Sequence, residues 1–278
     1  MPAARIPRRL RGSASTPVSA ARVYDYFLGG STNFRPDREA ATALLHAIPS
    51  AQSDVWANRA FLRRAVAHLL DQGVTQFLDL GSGLPTVGNV HELAQRMNPA
   101  ARVVYVDCDP VAVTHADQLL DGLHGVAVVE ADLRDVTHVL DSPEVLDLLD
   151  FSHPVGLLAV AVLHFVSDHD DPAAILDAYR DALVPGSHLV ISHATGHSLE
   201  CEQKTGAAGV YEDTDTPLTL RTPTRIAALF TGYDLVPPAD GELAAVVPVS
   251  DWRPDPLESV IETRTVYGGV ARLPDPIR

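Results

Sequence analysis

The chain reads as a doubly wound α/β protein: a mostly parallel sheet of seven strands with a helical cap ahead of it. Three observations carry that reading. Near-continuous apolar segments, QFLDL (76–80), RVVYVD (102–107), VAVVEAD (126–132), VGLLAVAVL (155–163) and HLVIS (188–192), have the look of parallel strands covered on both faces. Helical patterns fill the intervals between them. The ends of these segments carry polar residues, namely Asp79, Asp107, Asp132, His164 and His193. In an open sheet of this kind ligands sit outside the carboxyl ends of the strands, so these polar ends describe one crevice.

The elements follow in order. Ser19 can cap a helix through ARVYDYFL that stops at Gly29-Gly30, and Pro36 can open a second through EAATALLHA that Pro49 ends. A third runs from about Asp54 to Leu70, with Val55, Leu62, Ala65 and Leu69 at three-four spacing and Gly73 as its stop. These helices make a cap over residues 19–72, and the ligand-binding domain spans 73–278. Within it Val90, Leu93, Ala94 and Met97 form one helical stripe, Asp171-Pro172 opens a helix to Leu183, and Pro185-Gly186 turns into the fifth strand. Residues 195–217 are polar and glycine-rich, which predicts a mobile segment over the strand ends. Thr222-Pro223 caps a further helix ending at Gly232, and YDLV (233–236) and TVYGGVAR (265–272) complete the sheet.

With 278 residues, 46% of them hydrophobic, the chain can bury a full core. A net charge of −15 argues against nucleic acid or an anionic membrane surface as partner, because either needs a basic face. A small molecule is the expected partner. Cys108 and Cys201 are too few for a disulfide scaffold and form no metal-type pair, so a reducing cytoplasm is expected. A single lysine against twenty arginines resembles the codon bias of a high-GC bacterium. The opening MPAARIPRRLRGSASTP has arginines but no apolar run, and residues 1–18 are expected to be a disordered tail. No stretch is long enough to span a bilayer.

The chemistry concentrates in FLDLGSGLPT (77–86). Glycines at 81 and 83 let backbone approach a ligand closely. A dinucleotide would want a third glycine where Thr86 stands, and its phosphates would face Asp79 at a repulsion on the order of a few kcal/mol in a partly buried site. A cationic ligand removes that conflict. S-adenosylmethionine carries a sulfonium and an ammonium but no phosphate, and it suits an acid beside a glycine loop. Asp107, at the end of the second strand, is spaced to hold ribose hydroxyls of either cofactor, and Asp132 to accept from an adenine amino group. Asn58 lies on the apolar stripe of its helix, where an unpaired amide would cost about 1–3 kcal/mol, so it needs a partner: a carbonyl of the first strand or the ligand. Arg59 beside it is either a surface group or the counter-charge for a methionine carboxylate.

DLGSGLP, VDCDP and EADLRD resemble the first three motifs of Rossmann-like class I S-adenosylmethionine-dependent methyltransferases. More narrowly, ARVYDYFLGGSTNFRPDREA, NRAFLRRAV, QFLDLGSGLPTVGNVHE, AVLHFV, LVISHAT and YGGVAR resemble a family of S-adenosyl methyltransferases from high-GC bacteria that has no settled substrate, over about residues 19–272. The resemblance implies that Asp79, Gly81, Ser82 and Gly83 hold the methionine part, Asp107 and Cys108 the ribose, and Asp132 with Leu133 the adenine. Tyr24, Asp25, Tyr26 and Phe27 either simply pack an N-terminal helix or, in the alternative the resemblance raises, belong to a helix that lids the crevice. AVLHFV lacks an Asn-Pro-Pro-Tyr type of fourth motif, which argues against methylation of nucleic-acid bases.

The expected activity is methyl transfer to a small-molecule oxygen, nitrogen or carbon. His164, Tyr24 and His193 are the candidate bases, each histidine being alternatively one that only hydrogen-bonds a neighbouring loop, and a base is optional when the leaving group is a neutral sulfur. Cys108 reads as a packing residue. His193 and His197 lack the helical setting of a metal pair, and no metal is expected. Two alternatives share the fold: a non-catalytic S-adenosylmethionine-binding protein, and an NAD-dependent oxidoreductase that would retain the nicotinamide cofactor instead.

Overall fold

The computed structural model describes residues 17–85, 88–255 and 261–276. Most of the expected disordered tail (1–16) and the third-glycine position Thr86 lie outside them.

Five strands, β1 (Gln76–Leu80), β2 (Arg102–Asp107), β3 (Val126–Glu130), β4 (Gly156–Val160) and β5 (His188–Ala194), run parallel, and β8 (Val266–Arg272) pairs antiparallel with β5. The order is β3-β2-β1-β4-β5-β8-β6, with β6 (Asp234–Leu235) on the far edge. Strand order therefore reverses between β1 and β4, the place where such sheets bind ligands. The seven expected strands are joined by an eighth, β7 (Val247–Pro248), which pairs with β8 off the main path. At two residues it is too short to leave an apolar run.

Helices cover both faces. On one, α3 (Ala51–Asp71), α4 (Val90–Met97) and α5 (Pro110–Leu120) pack Phe61, Ala65, Leu69, Ala94 and Ala116 on Phe77, Val103, Leu158 and Val190. On the other, α6 (Val136–Leu140), α7 (Pro143–Leu148), α8 (Pro172–Asp181) and α10 (Pro223–Ala228) enclose Leu78, Val104, Leu157, Leu189 and Ile191. The pleat decides these assignments, since alternate residues of a strand point to opposite faces. It sends Phe77 and Asp79 toward α3, and Leu189, Ile191 and His193 away from it.

Helix starts follow their capping chemistry. The Asp171 carboxylate accepts from Ala174 N, and the Thr222 hydroxyl accepts from Arg225 N, each followed by proline. Ser19 precedes α1 (Ala20–Phe27) but does not cap it; its hydroxyl donates to the Asp109 carboxylate instead. Helix α2 (Arg35–Ala47) completes the first-lying group with a small apolar cluster of Val23, Phe27, Ala40, Ala41 and Ala51.

The segment 195–217 departs from expectation. It contains α9 (Cys201–Tyr211), with Ala207 and Tyr211 buried and Val210 packed on the α1–α2 cluster. Its glycines suggest a loop, but Gly206 serves close helix approach: a Cβ there would come within 2.9 Å of the Cβ of Ala47 on α2.

Candidate active site

Beyond β1 the chain turns through Gly81, Ser82 and Gly83. Gly81 has φ +65°, and a Cβ on it would lie 2.2 Å from Cγ2 of Val162, so conformation and space both require glycine. Gly81 and Ser82 donate their N–H groups to Val106 O at 2.8 and 3.0 Å. Gly83 N donates to Asp107 Oδ2 at 2.7 Å, and Asp109 N donates to Oδ1 at 2.8 Å. The acid of the second strand thus shapes the glycine turn while lining the same cavity. Burial raises its carboxyl above the ordinary range, against the pull of these backbone N–H groups.

Asp79 is buried, at 6% exposure. Desolvation pushes its carboxyl up to about 7; the charge of Arg59 opposes that shift and Asp107 adds to it. Asn58 and Arg59 are buried on α3. Asn58 Nδ2 donates to the Tyr24 hydroxyl at 2.9 Å, while its Oδ1 has no partner. The Tyr24 hydroxyl in turn donates to Val55 O at 3.3 Å. Arg59 lies with its guanidinium carbon 5.6 Å from the centre of the Tyr24 ring, and its Nε is also unpartnered. Of the two readings of Arg59, the surface group gives way to the buried one.

Asp132 is gripped by Arg134, whose Nε donates at 3.0 Å to each carboxylate oxygen and whose Nη2 donates at 2.6 Å. Desolvation tends to raise the Asp132 carboxyl, but these bonds hold it below the usual range. Leu133 is buried beside it, its carbonyl accepting from Tyr179 at 2.9 Å. Cys108 is exposed as a residue, yet enough of its thiol is enclosed that burial, then the nearby Asp107 and Asp132 charges, push it up to about 11. A neutral thiol suits packing.

The histidines behave differently from each other. His164 lines the cavity; its Nδ1 accepts from Ala194 N at 3.2 Å, so its remaining nitrogen carries the hydrogen. Burial, with His193 and Arg221 nearby, holds it well below the ordinary histidine range. His193 is not part of the cavity wall. Its Nδ1 donates to Ala194 O at 2.7 Å and its Nε2 accepts from Arg221 at 2.8 Å. The expectation that His193 is a base near the methyl group is corrected by this geometry: the pleat turns it toward the opposite face and both ring nitrogens are engaged. Buried Arg221, which sequence reasoning missed, also ties Leu163 O, Val166 O and Asp168 together under the β4 end.

All the other predicted residues line one cavity of about 580 Å³, within the ordinary range for small-molecule sites. Helix α1 crosses it and is anchored by buried Arg22, which pairs with Asp37 of α2 at 2.9 Å and with Asp109 at the start of α5 at 2.7 Å. Asp54, Thr195, Tyr211 and Thr265 also line it and were not singled out from sequence. Their positions depend on contacts distant in the chain. Among the described residues no cluster of three His, Cys, Asp or Glu side chains could hold a metal.

A buried carboxylate faced by one arginine at a glycine turn suits a nucleoside that is cationic at one end and free of phosphate. The fold and this site define an S-adenosylmethionine-dependent methyltransferase. Residues 8–274 match the model of the S-adenosyl methyltransferase family, and the chain belongs to that family. It is similar to a DUF574 family protein from Streptomyces avermitilis MA-4680, at 37% identity and TM-score 0.83 over 92% of this chain and 98% of that one. A protein from Thermobifida fusca YX described as a methyltransferase gives 38% identity and TM-score 0.84 over 93% and 96%. No curated protein matches the sequence.

S-adenosylmethionine is therefore the cofactor, and the side chains fit it. Asp79 and the unpartnered Asn58 Oδ1 offer acceptors to an ammonium, and Arg59 offers a counter-charge to a carboxylate. Asp107 retains lone pairs for ribose hydroxyls.

Proposed function

We propose that this methyltransferase acts on a small-molecule acceptor held in the part of the cavity that lies over β4, β5 and β8, with Gly81–Gly83, Asp79, Asn58, Arg59, Asp107, Cys108, Asp132 and Leu133 serving the cofactor. The observation that carries the reading is the continuity of the cavity: the same walls run from the glycine turn to Thr195 and Thr265 beneath α1. Bound S-adenosylmethionine supplies an electrophilic methyl group on a sulfonium. The chain's own residues then have to align an acceptor and exclude water, which is worth most when the geometry is fixed beforehand.

No side chain needs to act as base in this reading. His164 spends its lone pair on Ala194 N and presents an N–H, and the Tyr24 proton is directed at Val55 O. Both residues orient the acceptor and its surroundings. Activity in the cytoplasm is supported by two unpaired cysteines, Cys108 and Cys201.

The test is calorimetric titration with S-adenosylhomocysteine and, separately, NAD, on the wild type and on Asp107→Ala, followed by a metabolite pool with labelled methyl donor. Binding of S-adenosylhomocysteine alone, weakened in Asp107→Ala, and label in small molecules are expected. Retention of NAD in its place would refute the reading, and binding without label transfer to any pool would leave a non-catalytic binding protein.

A further inference from the structure

The predicted cofactor contacts sit over β1, β2 and β3 and along α3 from Asn58 onward. The cavity continues past them over β5 and β8, where Thr195, Thr265 and Val266 form its floor and Leu44, Ile48 and Leu199 are among its apolar walls. Asp54, one helical turn before Asn58, lines this farther half and is buried at 4% exposure. Its Oδ2 accepts from the Ser50 hydroxyl at 2.8 Å and from the Thr265 hydroxyl at 2.6 Å. Its Oδ1 is enclosed and has no partner.

A purely structural role accounts for Oδ2 and leaves Oδ1 unexplained. An acid in the first turn of a helix is favoured by the helix dipole, but that benefit does not require burying an oxygen without a donor. Of the other buried carboxylates lining or bordering the cavity, Asp37 pairs with Arg22, Asp79 has the charge of Arg59 near it, and Asp107 accepts two backbone N–H groups. Asp54 has no ion-pair partner among the described residues. A buried carboxyl oxygen with no donor is costly until one arrives.

We infer that Asp54 is the residue that recognises the methyl acceptor, and that the acceptor is a largely apolar small molecule carrying a protonated amine that bonds to Oδ1. This rests on the methyltransferase reading above. An amine supplies both N–H donors and the missing positive charge, whereas a hydroxyl supplies only the donor. The apolar walls accept the remainder of such a molecule. The net charge of −15 attracts a cation toward the cavity mouth and disfavours an anionic acceptor.

The test uses the full chain saturated with S-adenosylhomocysteine and two sets of shape-matched probes: phenethylamine, 2-phenylethanol and phenylacetate, then tryptamine, tryptophol and indole-3-acetate. Calorimetry should show amines held at least about tenfold more tightly than the matching alcohols, the difference between a charge-assisted and a neutral hydrogen bond. Asp54→Asn keeps an oxygen for Ser50 and Thr265 but loses the charge; it should bind S-adenosylhomocysteine normally and lose the amine preference. Equal binding of amine and alcohol, including no binding of either, overturns the inference, as does an amine preference that survives Asp54→Asn. A wild type that does not bind S-adenosylhomocysteine would instead remove the cofactor reading on which the inference stands.

Discussion

Asp79→Asn separates two effects that the wild-type carboxylate combines. In the folded chain the carboxyl is raised from 3.8 to about 7, chiefly because burial disfavours its charged form. At about 1.4 kcal/mol per pKa unit, keeping it ionised costs the empty fold roughly 4 kcal/mol. The sign follows from the direction of the shift. A raised acid contributes stability that is complete below its unfolded value and is lost as pH rises through the folded one, here between about pH 4 and pH 7. The amide does not titrate, so the variant should gain on the wild type across that window and lead by up to about 4 kcal/mol near pH 8. Urea denaturation of both proteins at several pH values measures this difference, with background titrations common to both. Cofactor binding should move the other way. An ammonium beside the carboxylate favours its ionised form, so wild-type binding of S-adenosylhomocysteine near pH 6 should release a proton, visible as a buffer-dependent heat, and should be about tenfold or more tighter than in the variant. A stability difference that stays flat over the window, or equal affinity in the two proteins, would refute the reasoning.

Gly81→Ala combines a left-handed backbone with a methyl group 2.2 Å from Val162, and should cost about 1–2 kcal/mol for the first and about 1–3 for the second, read by thermal melting and S-adenosylhomocysteine titration. Adding Val162→Ala removes Cγ2 but leaves its Cβ 2.7 Å away, so it should recover only some of the second part and none of the first. Arg22→Met leaves Asp37 without its counter-charge and should destabilise the protein by about 3–5 kcal/mol in urea, with Asp37→Asn restoring part of the loss. Tyr24→Phe removes the acceptor for Asn58 Nδ2 and should lower stability by about 1–3 kcal/mol, with weaker S-adenosylhomocysteine binding in the same titration.

The strands were legible because a doubly covered parallel strand leaves an unbroken apolar run, and the strand-end acids because each closes such a run. Asn58 was legible as a polar break in an apolar stripe that needs a partner; that the partner is Tyr24, 34 positions away, was not. His193 failed for a local reason: position along the strand gave the correct end of the sheet, but the pleat that aligns it with Leu189 and Ile191 gave the wrong face. Helix α9 was hidden because Gly206 looks like a helix breaker in isolation and becomes a close-contact residue only against Ala47 of α2. Arg221 and Asp54 carried no sequence signal, since a buried charge is recognisable only when its surroundings are known. Asp54 reads as an ordinary first-turn acid until Thr265, 211 positions later, is brought against it.

That long separation bears on how the protein can diversify. The glycine turn and the acids behind it occupy the first half of the sheet, whereas the floor of the farther chamber is laid by β5 and by the returning strand β8. With the acceptor placed there as proposed, exchanges around Thr195 or Thr265 would retune which compound is modified while leaving donor retention intact.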